Sequence, residues 1–295
     1  MDDGSKDNTA KVVKELMEED RRIKLLTNEI NRGTLYTKTR GILNAKEKYI
    51  MTLDHDNFYA TKDAFSKLYK EAEKNNLDIL GYAGIRSKVE IKKIPAYHFY
   101  DFLNYHKTLI ITKPNIKNKI LGPNKREQSR AFLCLYFIKK DLFLKVIKQL
   151  GDEFINRNID AHDDTILMFL LSRNALSFKH IKDIFYVVYV WPQEYSNSLK
   201  FQMTVKKIER EKRNCFSFLT YTEVLLLFTE NNKSDKNLEE QNFLGWFLRN
   251  NNCRNQKYIM NDALRVSNLY LNNQFISSKT KNEISLYLNK IKQQQ

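Results

Sequence analysis

Tyr49-Ile50-Met51-Thr52-Leu53-Asp54-His55-Asp56 is the stretch from which the rest of the chain can be ordered. Residues 49–53 form a short, mostly apolar run of strand length. The run passes directly into two carboxylates. Extended residues alternate faces, so Asp54 and Asp56 project to one side and His55 to the other. Two such carboxylates, about 7 Å apart along the backbone, can converge on a divalent cation. Oxygen ligands suit Mg²⁺ or Mn²⁺ rather than Zn²⁺. In an open parallel sheet, ligands bind just past the carboxyl ends of the strands, which is where this pair sits.

Working outward, helical and strand patterns alternate. Upstream, Ser5 or Asp7 can cap a helix with Val12, Val13, Leu16 and Met17 on one face. Residues 23–26 read as a short strand, 28–33 as a loop, and a helix follows from about Thr34. Downstream, residues 62–74 form an amphipathic helix with Phe65, Leu68, Tyr69 and Ala72 inward, and 77–82 the next strand. This alternation predicts βαβ units and a mostly parallel sheet flanked by helices. Residues 86–130 are basic and broken by Pro95, Pro114 and Pro123, which predicts loops around one aromatic helix at 97–105. A strand at 131–138, helices at 140–150 and 163–173, and strands at 178–181 and 185–190 follow. After Trp191-Pro192 the chain turns rich in Lys, Asn and Gln. Helices are expected near 202–213, 221–230, 238–250, 257–270 and 281–292. The division is an α/β unit over 1–195 and an α-helical region over 196–295.

Composition narrows the function classes. The 295 residues carry a net charge of +15, which points to an anionic partner. There are only 8 Gly and 4 Pro, and neither Gly-x-Gly-x-x-Gly nor Gly-x-x-x-x-Gly-Lys occurs, so the standard dinucleotide and P-loop readings fail. Cys134, Cys215 and Cys253 are far apart and odd in number, which predicts buried thiols in a reducing, cytoplasmic setting. No apolar run approaches the roughly 17 residues that span a bilayer. The five His have no metal-ligand spacing, and no nucleic-acid recognition motif is present.

Two more acidic clusters flank the central one. Asp2-Asp3-Gly4-Ser5 reads as a turn with a cap, and Asp163-Asp164 opens a helix. Acids in a first helical turn are worth about 0.3–1 kcal/mol through the helix dipole, so structure alone accounts for either. Their order and spacing carry more. Asp2-Asp3-Gly4-Ser5-Lys6-Asp7-Asn8-Thr9, Asn31-Arg32-Gly33, Gly41-Ile42, residues 45–50, Leu53-Asp54-His55-Asp56, Asp163-Asp164 and Tyr186 follow one another as in a family 2 glycosyltransferase.

The chain from residue 1 to about 191 therefore resembles that family. The resemblance implies the GT-A fold, a Rossmann-like, mostly parallel sheet flanked by helices, here with a helical C-terminal extension. It implies sugar transfer from a nucleotide-diphosphate-sugar, expected to be a UDP-sugar, to a glycan, protein or lipid hydroxyl with inversion. Asp2, Asp3 and Asp54 would contact the donor. Asp54 and Asp56 would hold Mn²⁺ or Mg²⁺, and Asp164 would be the general base, with Asp163 and Lys38 in support. Lys24 and Arg40 are further candidates for charge stabilisation. Four features depart from the family. Met1 directly precedes Asp2, so the family's first strand and helix and nearly all of its second strand have no counterpart. Lys38 stands where Arg is usual, and Asp163 where Glu is usual. No membrane helices follow. A catalytically inactive scaffold acting as an interaction module is the alternative expectation, and a basic surface for nucleic acid or anionic lipid a third.

Overall fold

The computed structural model describes residues 1–55, 57–87, 110–112, 132–189, 199–228, 253, 259–274 and 276–292. Helices α1 (Thr9–Glu19) and α2 (Thr34–Asn44) precede β1 (Tyr49–Ile50) and β2 (Asn57–Tyr59). Then come α3 (Ala64–Lys74), β3 (Ile79–Ser87), β4 (Ile110–Thr112), a 3₁₀ turn at Leu133–Leu135 and β5 (Tyr136–Lys139). Helices α4 (Lys140–Ile155) and α5 (Asp163–Asn174) lead to β6 (Ser177–Tyr189). Helices α6 (Leu199–Phe228), α7 (Met260–Asn272) and α8 (Ser278–Lys292) complete the described elements.

The expected α/β class is present, but the strand directions differ from a mostly parallel sheet. The order is β1-β5-β3-β6-β2, with β4 also on β6. Among the described pairings only β3–β6 is parallel; β1–β5, β3–β5, β2–β6 and β4–β6 are antiparallel. A second parallel contact is the isolated bridge between Asp2 and Thr27. The physical reason lies in length. A parallel neighbour needs a long crossover. The short strands β2, β4 and β5 instead pair along the two long ones, and β1 pairs with β5. Helix–strand alternation fixes the class but not which strands lie side by side.

The long strands also merge expected pieces. The strands foreseen at 178–181 and 185–190 are one, β6, whose pairing with β3 shifts register between Gly81 and Gly84. The helices foreseen at 202–213 and 221–230 are one, α6. Residues 23–26 form no strand. Inside α4, Gly151 (φ 76°) breaks the helical path, a conformation glycine adopts without steric penalty. The helices expected at 97–105 and 238–250 lie outside the described residues.

Two apolar clusters sandwich the sheet. One contains Leu68, Ala72, Leu77, Leu80, Tyr82, Phe137 and Tyr186. Leu68 and Ala72 bring α3 onto the sheet as expected, whereas Phe65 and Tyr69 stand half exposed. The other cluster runs from Leu35 and Ile42 of α2 through α4 and α5 to Phe218, Leu219 and Val224 of α6 and Val266 of α7. Helix α5 is apolar nearly all round, with Ile166 to Leu171 buried. A helix buried on every side needs packing on every side, and α6 supplies part of it. Helix α1 buries none of its residues; Val12 and Leu16 are exposed, against the expected inward face.

The cysteines correct a second expectation. Cys215 of α6 and Cys253 form a disulfide with Cα atoms 5.5 Å apart, and only Cys134 is a free buried thiol. A separation of 38 residues matches no compact spacing pattern and shows only once the chain is folded. Closing such a loop is worth about 4 kcal/mol on the chain-entropy account.

Candidate active site

The N-terminus of α5 is the anchor of the site. His162 caps the helix in the left-handed region (φ 59°), and its ring packs against Phe218 and Tyr221 of α6. Asp163 and Asp164 follow in the first turn. Lys38 of α2 reaches both: its Nζ lies 2.8 Å from Asp163 Oδ2 and 2.6 Å from Asp164 Oδ1. The other oxygen of Asp164 accepts the backbone N–H of Leu133 at 3.1 Å.

Helix α2 is held in place for this contact by its own first residues. Thr34 Oγ1 and the Leu35 N–H both donate to the carbonyl of Ile159. Gly33 precedes them with φ 85°, and a Cβ there would come within 2.7 Å of the Ile159 backbone. Both the backbone angle and the close approach require glycine.

Burial and charge set the protonation of the cluster. Burial, followed by the neighbouring charge of Asp163, pushes the Asp164 carboxyl up from 3.8; the Lys38 ammonium pulls it back, and Asp54 adds to the upward push, leaving it at about 7. Burial acts to lower Lys38, but Asp164 and Asp163 more than offset this and hold the ammonium above its ordinary range. Lys38 is thus a fixed cation and Asp164 a carboxyl able to take or release a proton near neutrality.

The charge of Asp54 acts on Asp164, Cys134 and Tyr186. The Asp54 backbone N–H lies 3.5 Å from the Tyr186 hydroxyl, and its carbonyl accepts the Asn57 N–H. Its carboxylate is partly exposed and accepts no hydrogen bond among the described residues. Such a group fits the oxygen-donor chemistry of Mg²⁺ or Mn²⁺. Asp56 lies outside the described residues, and among them no group of three His, Cys, Asp or Glu is placed to hold a metal.

The third acidic pair is already engaged. Asp3 Oδ1 accepts from Asn28 Nδ2 and the Arg32 N–H, and its Oδ2 accepts from the Gly33 N–H. Asp2 is buried, pairs with the chain around Thr27, and accepts the Ser5 N–H. Asn28 also donates to Thr37 Oγ1, one residue before Lys38. Asp3 therefore reaches the Lys38 cluster through Asn28 and α2. Arg40 binds the Thr27 carbonyl and Asn28 Oδ1, and Lys24 and His55 are exposed.

The sequence motifs do not point to Leu133 or Tyr59, and they give Cys134 no part in the site. Leu133 acts through its backbone, which side-chain motifs cannot reveal. Cys134 was read only as a buried thiol. Tyr59 lies three residues past the acidic triplet, close enough to have been a candidate.

The chain is similar over part of its length to known proteins. The sequence pattern of "Glycosyl transferase family 2" matches residues 1–135. The glycosyltransferase GlyG of Streptococcus pneumoniae is 30% identical over 165 residues, covering 52% of this chain and 50% of that protein. An uncharacterized glycosyltransferase of Haemophilus influenzae is 26% identical over 155 residues, covering 48% of this chain and 61% of its own. The matched region thus spans only about half to three fifths of these curated relatives. Crystal structures of Staphylococcus aureus TarS share the fold at low identity. The complex with UDP superposes with a TM-score of 0.59 at 14% identity over 98% of this chain and 76% of that one. The complex with UDP-GlcNAc gives 0.58 over 96% and 73%. The chain is thus similar to glycosyl transferase family 2 over residues 1–135 and shares the fold of the TarS structures.

Proposed function

We propose that this chain transfers a sugar from a nucleoside-diphosphate sugar, UDP-linked in the first instance, to an acceptor hydroxyl with inversion at the anomeric carbon. The observation that carries the reading is the ion pair of Lys38 with Asp164, whose carboxyl is held at about 7 and also feels the charge of Asp54. A base titrating near the working pH is the most effective at drawing a proton from a weakly acidic hydroxyl. Lys38 holds the Asp164 carboxylate in orientation and keeps it ionisable despite burial. With Asp164 as base activating the acceptor hydroxyl, direct displacement would place the attack on the face opposite the leaving diphosphate.

Asp54 and Asp56 would hold the divalent cation, which supplies charge stabilisation to the departing diphosphate when bound. The relatives named as glycosyltransferases, and the TarS complexes with UDP and UDP-GlcNAc, support a nucleotide donor.

A panel of nucleotide sugars with Mn²⁺ tests the reading. One donor is expected to raise the melting temperature and to be hydrolysed or transferred. Asp54→Ala is expected to abolish both effects. Equal activity of parent and variant would remove Asp54 from the site.

A further inference from the structure

Strands β2 and β6 set Tyr59 directly opposite Tyr186, their rings edge to face at 6.0 Å. The Tyr59 hydroxyl donates to the Thr52 carbonyl at 3.2 Å, and the Asp54 N–H points to the Tyr186 hydroxyl at 3.5 Å. One cross-strand pair of phenols thus grips both ends of the segment 52–54. The Tyr82 hydroxyl fixes the Cys134 carbonyl at 2.7 Å. Leu133, the preceding residue, donates its N–H to Asp164. The 3₁₀ turn at Leu133–Leu135 is therefore held by Tyr82 and itself holds Asp164.

We propose that Tyr186, together with its cross-strand partner Tyr59, is a positioning residue that sets the Asp54 carboxylate relative to Asp164 for binding the cation and the donor diphosphate. Neither phenol need touch substrate. Burial, as the largest cause, holds both hydroxyls above the ordinary tyrosine range, so they stay protonated at working pH. The inference rests on the functional reading above for its purpose, but not for its geometry.

The test uses Mn²⁺ alone as the probe, titrated into the purified chain and followed by electron paramagnetic resonance. Groups that orient a metal-binding residue from behind commonly affect metal affinity by 10–100-fold, so Tyr186→Phe is expected to weaken Mn²⁺ binding by at least about tenfold. Tyr59→Phe is expected to act in the same direction. In both variants turnover recovers as Mn²⁺ is raised, so the Mn²⁺ requirement and the donor KM change more than kcat. A general loss of stability would not produce that split. Parent-like Mn²⁺ affinity in both variants, or a parent that binds no Mn²⁺, overturns the inference. Should Tyr186→Phe not fold, Tyr59→Phe decides alone. A parent that binds Mn²⁺, loses it on Tyr186→Phe, and transfers no sugar from any nucleotide donor supports the positioning role and refutes the proposed function.

Discussion

Asp164→Asn will lower the turnover of sugar transfer by about 10³-fold, the scale of a lost general base, while the protein stays folded. Asparagine keeps the shape of the side chain, but its single carbonyl oxygen can replace only one of the two that accept from Lys38 and the Leu133 N–H, and it cannot take a proton. The stability side follows from the raised carboxyl. Asp164 titrates at about 7 in the folded chain against an ordinary 3.8. Its contribution to stability is therefore complete below about pH 4 and is lost as pH rises through about 7. Asparagine removes that loss above neutrality and leaves Lys38 paired with Asp163. Melting temperature and kcat, measured together at pH 8, separate the two effects. A large fall in kcat with a near-parent melt is expected; a variant that turns over like the parent would take the proton-accepting role away from Asp164.

Lys38→Met is expected to have the second-largest effect, on pH dependence as well as on stability. The ammonium is the main attraction that holds Asp164 down against burial and against Asp163. Without it the carboxyl rises further, and the ascending limb of the kcat/KM profile should move alkaline by at least about one unit, equivalent to about 1.4 kcal/mol. Activity at pH 7 then falls steeply and partly returns at pH 9. Removing one partner from a largely buried ion cluster also destabilises by about 3–5 kcal/mol. That loss should be smaller at pH 5, where Asp164 protonates and only Asp163 is left unpaired. Parallel loss at every pH, with an unmoved limb, would reduce Lys38 to a packing role. Methionine preserves most of the stem volume, which makes charge the variable tested.

How much of this was legible beforehand differs from residue to residue. The acidic pairs were visible as sequence clusters, and the Asp163-Asp164 helix appeared within one residue of its predicted end. Lys38 was found only through a motif position; its contact with Asp164 spans 126 residues and leaves no local signature. Strand direction was not legible because short strands such as Tyr49–Ile50 carry too few residues for any pattern. Their neighbours are chosen by tertiary packing. The exposure of Phe65 shows the same limit: helical periodicity locates a face, and the number of residues it buries depends on what lies opposite. The Cys215–Cys253 link depends on where α6 ends up against residue 253, which spacing alone does not encode. The tyrosine pair behind Asp54 needed the β2–β6 register, since Tyr59 and Tyr186 lie far apart in the chain.

Everything above depends on Asp54 and Asp164 sharing one electrostatic environment. Carbon-13 NMR titration of the aspartate carboxyls, in the parent chain and in Asp54→Asn, measures this most directly. The account predicts that Asp164 titrates near 7 in the parent and at a lower pH once the Asp54 charge is gone. An Asp164 that titrates with ordinary surface carboxylates, or one indifferent to the change at residue 54, would contradict it.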